Sequence, residues 1–214
     1  MAASERRETL QHPAKGVALG RRQRAEHVIL DLLQTLCNPE SSVRAGLLGL
    51  PITYAIIGGD AARFAPLADL YRRAAEHAHV PAQNVMVSIA NPGFVGQESR
   101  TARDLWYGNW YGIMSTVGAT RGWAPPSRAH FEREATGGGA LFVGGPEEIA
   151  ERIVALQRSV GHMRQFLQMD IGSLPHATFL RAIELLGTRV KPLVDAELGG
   201  VKRAERAAVT AGAA

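Results

Sequence analysis

Residues 38–60 read NPESSVRAGLLGLPITYAIIGGD, and the fold turns on this stretch. Asn38 is a side-chain cap, Pro39 suits a first helical position and Glu40 puts an acid in the first turn, so a helix starts here. It is short and stops near Gly49. Residues 51–57 (PITYAII) are then a continuous apolar run of strand length, closed by Gly58-Gly59-Asp60. A strand without polar alternation is expected to be buried on both faces, as parallel strands are.

Downstream the rhythm repeats. Phe64, Leu67, Tyr71, Ala74 and Ala78 share one helical face, and Pro81 ends that helix. Residues 84–90 (NVMVSIA) form a second apolar strand, closed by Asn91-Pro92-Gly93. Residues 97–117 are helical by pattern, with Leu105, Trp106, Trp110, Ile113 and Met114 on the apolar side. A loop-rich stretch over 118–139 contains three consecutive glycines. A fresh helix opens at Gly145-Pro146-Glu147-Glu148 and stops at Gly161. Residues 165–171 (QFLQMDI) are a third strand, and Phe179, Ile183, Leu186 and Val190 mark a last helix. Upstream, residues 25–36 (AEHVILDLLQTL) fit one amphipathic helix, with disorder expected before about residue 22. The Gly/Ala-rich tail over 198–214 is expected to fray.

Strands alternating with helices mean an α/β fold with parallel strands and crossover connections. A dinucleotide fold needs a Gly-x-Gly-x-x-Gly turn after its first strand, and none is present. A whole (β/α)8 TIM barrel takes roughly 250 residues. Three strands already consume residues 51–171, so the arithmetic permits a partial barrel. Three segments are expected: 1–37 unassigned, 38–197 as barrel, 198–214 as tail.

Charge and composition narrow the function. Of 214 residues, 46% are hydrophobic and 21% charged, a globular balance. Lys plus Arg total 24 against 20 Asp plus Glu, and the excess is spread along the chain. Without a basic block, nucleic acid is not expected as a partner. The single cysteine, Cys37, cannot form an internal disulfide. No apolar run approaches the ~20 residues of a membrane span. No membrane partner is expected, and a cytoplasmic location is.

The order of motifs now carries a resemblance. Asn38-Pro39-Glu40-Ser41-Ser42-Val43-Arg44-Ala45, then Gly49-Leu50-Pro51-Ile52 and Ala55-Ile56-Ile57-Gly58-Gly59, then Arg63-Phe64-Ala65-Pro66-Leu67 and Leu70-Tyr71-Arg72, resemble the bacterial luciferase-like flavin monooxygenases. Gly93-Phe94-Val95, Ala140-Leu141-Phe142-Val143-Gly144-Gly145-Pro146-Glu147-Glu148 and Gly172-Ser173-Leu174-Pro175-His176 continue it in order. The resemblance covers residues 38–214 and implies the C-terminal part of a (β/α)8 barrel, its strands being the last three. Residues 1–37 do not resemble the family, so a truncated chain is the expectation.

The resemblance implies reduced flavin mononucleotide (FMN), or a deazaflavin, acting with oxygen on a small organic substrate. The cofactor performs that chemistry while the protein holds and shields it. A flavin reductase is an implied partner. Self-association is expected of strands left open by an incomplete barrel.

The flavin phosphate of the family sits at the helix start that corresponds to Asn38, Ser41 and Ser42. The physics agrees, because a helix N-terminus exposes unpaired N–H groups and hydroxyls add donors. Family members usually carry Gly-Gly before this cap, where this chain has Leu36-Cys37. Strand ends edge the active face of a barrel, which adds Gly58 and Gly59 to the cofactor side and Asn91, Gly93, Phe94 and Ser173 to the substrate pocket. His176 is the candidate catalytic residue. No metal site is expected: His77 and His79 lack partner spacing. Gly145-Pro146-Glu147-Glu148 opens a helix but would repel phosphate, so structural capping is expected. Trp106, Tyr107, Trp110 and Tyr111 form one broad helical face, for which packing against the barrel wall is the plain reading. Two functions stay open: a flavin-dependent oxidoreductase, or a non-catalytic barrel fragment serving as a scaffold.

Overall fold

The computed structural model describes residues 38–172 and 174–199. The expected helix over 25–36, Cys37, Ser173 and most of the tail lie outside the described residues. The elements run α1 (Pro39–Leu47), β1 (Ile52–Ala55), a 3-10 turn (Ala61–Phe64), α2 (Ala65–His77), a second 3-10 turn (Ala82–Asn84), β2 (Val87–Val95), α3 (Ser99–Arg121), α4 (Arg128–Ala135), β3 (Phe142–Gly144), α5 (Pro146–Val160), β4 (Arg164–Gln168), α6 (His176–Leu185) and a π-helical turn (Leu186–Val190). Helical backbone continues over 191–199.

All strand pairing is parallel and centres on β2. Ile52 pairs with Val87 and Ala55 with Ala90. Ser88 to Pro92 pair with Arg164 to Gln168 of β4. Gly93 to Val95 then pair with Phe142 to Gly144 of β3. The second strand is therefore longer than read from sequence and runs through Asn91-Pro92-Gly93. Pro92 interrupts little, because it stands at the last register position with β4, where β2 passes to β3. The short β3 and the helix α4 were not legible: a three-residue strand between glycines has no periodicity to display.

Side chains alternate across each strand, so paired residues share a face. Ile52, Tyr54, Val87 and Ile89 share one face and are buried. The opposite face departs from the apolar expectation. Thr53, Ala55 and Ala90 there are half-buried, and Arg164, Phe166 and Gln168 of β4 are exposed. β3 is buried throughout and β2 everywhere but at half-buried Ala90, whereas β4, which pairs with β2 alone among the described residues, leaves one face open.

The core lies between the sheet and its helices. Tyr54 packs against Phe64, and Phe131 of α4 packs against Trp106 and Trp110 of α3. Trp106, Trp110 and Phe131 are buried, so that part of the aromatic face of α3 is packing, while Tyr111 is exposed. Gly122 and Gly161 close α3 and α5 in left-handed backbone, which glycine adopts at low cost. No helix among the described residues is long and apolar enough to cross a membrane.

Candidate functional site

The start of α1 is a closed cap. Asn38 Oδ1 accepts from Ser41 N at 2.8 Å and from Ser41 Oγ at 2.9 Å. Two donors thus converge on one oxygen at the positive end of a helix. Ser42 is turned the other way. Its hydroxyl meets Tyr54 OH at 2.9 Å in the core and donates to Asn38 O at 3.2 Å. Sequence alone could not separate the two serines, because both sit in the first turn. The structure gives Ser41 to the cap and Ser42 to the sheet.

Gly58 and Gly59 follow β1 at its C-terminal end, the end that carries active sites in parallel α/β folds. They differ in kind. A Cβ on Gly58 would meet nothing within 4 Å, whereas Gly59 has φ +78° and packs against the Arg63 guanidinium. Gly59 N donates to Glu134 Oε2 at 2.8 Å, and Ala140 N reaches the same oxygen at 3.4 Å. Ala61 N donates to Gly138 O at 3.0 Å. The turn after β1 is therefore fastened to the loop before β3.

Arg152 of α5 holds that loop from its other side. Its guanidinium donates to Ala135 O, Leu141 O and Gly139 O at 2.7–2.8 Å and lies over the Phe142 ring. Burial pulls its pKa down to about 10, against the opposing pull of Glu148. A cavity of about 280 Å³ opens here, lined by Asp60, the three glycines 137–139, Phe142 and Arg152 among others.

Of the substrate-pocket residues read from sequence, Asn91, Gly93 and Phe94 lie within β2, and Ser173 lies outside the described residues. Asn91 is buried; its Nδ2 donates to Ile56 O and Ala140 O, and its Oδ1 accepts from Gln165 Nε2 at 2.8 Å. A Cβ on Gly93 would come within 2.8 Å of Phe142 O, and Phe94 is in the core. The strand ends at Val95, four residues beyond Asn91, which moves the strand's rim to Gly96 and Gln97. His176 is the first residue of α6 and is exposed; no hydrogen bond reaches its ring among the described residues. Gly145 caps α5 and donates to Ser99 Oγ at 3.0 Å, a structural start as expected.

Glu134, Arg152 and Gln165 were missed by sequence reasoning. Their partners lie far along the chain, as with Gln165 and Asn91, so no local pattern marks them. His162 is buried with its Nδ1 unpaired among the described residues, and burial pushes it down to about 4.

No protein-family model and no curated protein matches the chain. Solved structures do. The monooxygenase RslO1 from Streptomyces bottropensis matches with a TM-score of 0.55 and 21% identity, over 72% of this chain and 45% of that one. The oxygenating constituent of 3,6-diketocamphane monooxygenase from Pseudomonas putida, a type II Baeyer-Villiger enzyme in complex with FMN, matches at 0.52 and 19%, again over 72% and 45%. The coenzyme F420 dependent tetrahydromethanopterin reductase from Methanopyrus kandleri matches at 0.50 and 15%, over 72% and 48%. The chain thus spans about half the length of the solved chains it matches. At these identities the likeness is one of fold: the chain has the fold of part of a luciferase-like (β/α)8 barrel, as the order of its motifs implied.

Proposed function

We propose that this chain, carrying part of the luciferase-like barrel fold, serves a flavin-dependent oxidoreductase of the monooxygenase kind. The observation that supports this most directly is the start of α1, where Ser41 N–H and Ser41 Oγ–H converge on the single oxygen Asn38 Oδ1. A phosphate oxygen in that place would satisfy the same two donors, and the helix dipole favours an anion there. We therefore assign the phosphate of FMN to this helix start, with Ser41 turning its two donors from Asn38 Oδ1 to the phosphate and Ser42 as the tie beneath.

Gly58 is the second assignment. The open space beyond it allows a flat ring to approach the backbone, while Gly59 is occupied by Glu134. His176, exposed at the head of α6, is the residue we assign to proton handling near the reacting atoms. When bound, reduced flavin would supply electrons to dioxygen so that one oxygen atom passes to an organic substrate. The protein's part is to hold the phosphate, orient the ring and exclude water. Reduced FMN is the assigned cofactor, coenzyme F420 the alternative, and a flavin reductase the matching partner. Self-association belongs to the same proposal, with exposed Phe166 on β4 as its motive.

The second reading is a non-catalytic scaffold, favoured by Asn91, Gly93 and Phe94 being spent on packing. Titration with oxidised and photoreduced FMN, followed by flavin fluorescence and absorbance, decides between them. Saturable binding is expected; no saturable binding of FMN or F420 contradicts the oxidoreductase reading and leaves the scaffold.

A further inference from the structure

We propose that Glu134 is a positioning residue that sets the Gly58–Gly59 turn for its cofactor. The inference rests on the flavin reading of that turn. It starts from α4, a helix whose sequence announces nothing. Glu134 stands near its C-terminal end, and its carboxylate crosses to the turn after β1. There it accepts from Gly59 N at 2.8 Å, and from Ala140 N at 3.4 Å.

A side chain can position a turn only if its own backbone is fixed. Here it is. Leu141 N donates to Glu134 O at 2.9 Å, and Gly139 N to Thr136 O at 3.1 Å. A Cβ on Gly139 would come within 2.3 Å of Glu134 O, so the loop folds flat against the helix end only because that residue is glycine. Arg152 then binds Ala135 O, Gly139 O and Leu141 O, bridging both sides of the loop with one buried, planar group. The carboxylate hangs from a rigid frame.

The consequence is a division of labour within the turn. Gly59 has its N–H committed to Glu134 and its φ in the left-handed region, so it is the anchor. Gly58 has no such tie among the described residues and open space beyond it, so it is the contact. A charge-assisted hydrogen bond is stronger than one between neutral groups, which suits a strap that must hold while a ligand enters.

The test uses the full chain and the variants Glu134→Ala and Glu134→Gln. Amide exchange of Gly59 is followed by NMR, with FMN affinity measured in parallel and thermal melts as the control for folding. In Glu134→Ala, Gly59 exchange should rise by about tenfold or more, as expected for a lost hydrogen bond to a charged group, and FMN affinity should fall. Glu134→Gln keeps an acceptor oxygen and should restore most of both. Unchanged Gly59 exchange in Glu134→Ala overturns the strap. Faster exchange with unchanged FMN affinity overturns the positioning role. If the unmodified chain does not bind FMN, the flavin reading fails on its own account, and the exchange data still decide the strap.

Discussion

Asn91 of β2 accepts a hydrogen bond from Gln165 of β4 at 2.8 Å, and the two side chains stand 74 residues apart in sequence. The other end of the same carboxamide donates to Ile56 O and Ala140 O. One buried side chain thus joins the segments that follow β1, precede β3 and form β4. Asn91→Ala leaves two buried carbonyls and one amide without this partner, and stability should fall by about 2–4 kcal/mol. Urea unfolding checks it. A variant of unchanged stability that loses only substrate affinity would return Asn91 to the pocket.

Two glycines should respond oppositely to added bulk. Gly93→Ala forces a Cβ to within 2.8 Å of Phe142 O across the β2–β3 pair, so a loss of about 1–3 kcal/mol or more is expected. Gly58→Leu starts from a position where an added Cβ meets nothing within 4 Å, and the melting temperature should hardly move. Its FMN affinity should drop, because the leucine fills the space assigned to the ring. Equal melting shifts in the two variants would refute the contrast.

His162 predicts a pH dependence. Its imidazole is 4% exposed and its pKa is pushed down to about 4, first by burial, with Arg72 adding repulsion and Gln165 opposing. In the unfolded chain it returns to about 6.5. Between these values the unfolded state binds more protons, so stability falls as pH drops from 6.5 to 4. The contribution is full above pH 6.5 and is worth about 3 kcal/mol at most. Urea unfolding of His162→Gln between pH 7 and pH 4 should show a flatter profile than the parent chain. Parallel profiles would assign the slope to other groups.

Ser42→Ala should cost about 1 kcal/mol of stability, the usual net contribution of one buried hydrogen bond, and leave flavin selectivity alone. The hydroxyl belongs to Tyr54 and the sheet. Thermal melts together with FMN and riboflavin titrations separate the two effects.

The fold was legible where physics is local. The Asn38-Pro39 cap, the apolar run over 51–57 that contains β1, the Gly145-Pro146 helix start and the Gly161 stop all declare themselves within a few residues. The end of β2 was not, because Asn91-Pro92-Gly93 is a turn by composition and becomes strand only through β3 and β4 on its flanks. The site divided the same way. Asn38 and Ser41 form a local motif and could be read, whereas Glu134 acts on Gly59 across 75 residues and could not. Ser41 and Ser42 were told apart only by the position of Tyr54.

The central claim is that the start of α1 receives a flavin phosphate, and Ser41→Ala tests it most directly. FMN and riboflavin share the ring and differ in the phosphate, so each is titrated against the chain and the variant. FMN should bind the chain more tightly than riboflavin. Ser41→Ala should weaken FMN by about tenfold or more, as fits a lost hydrogen bond to a charged group, with riboflavin little changed. Equal weakening of both flavins, or no preference for FMN in the unmodified chain, would contradict it.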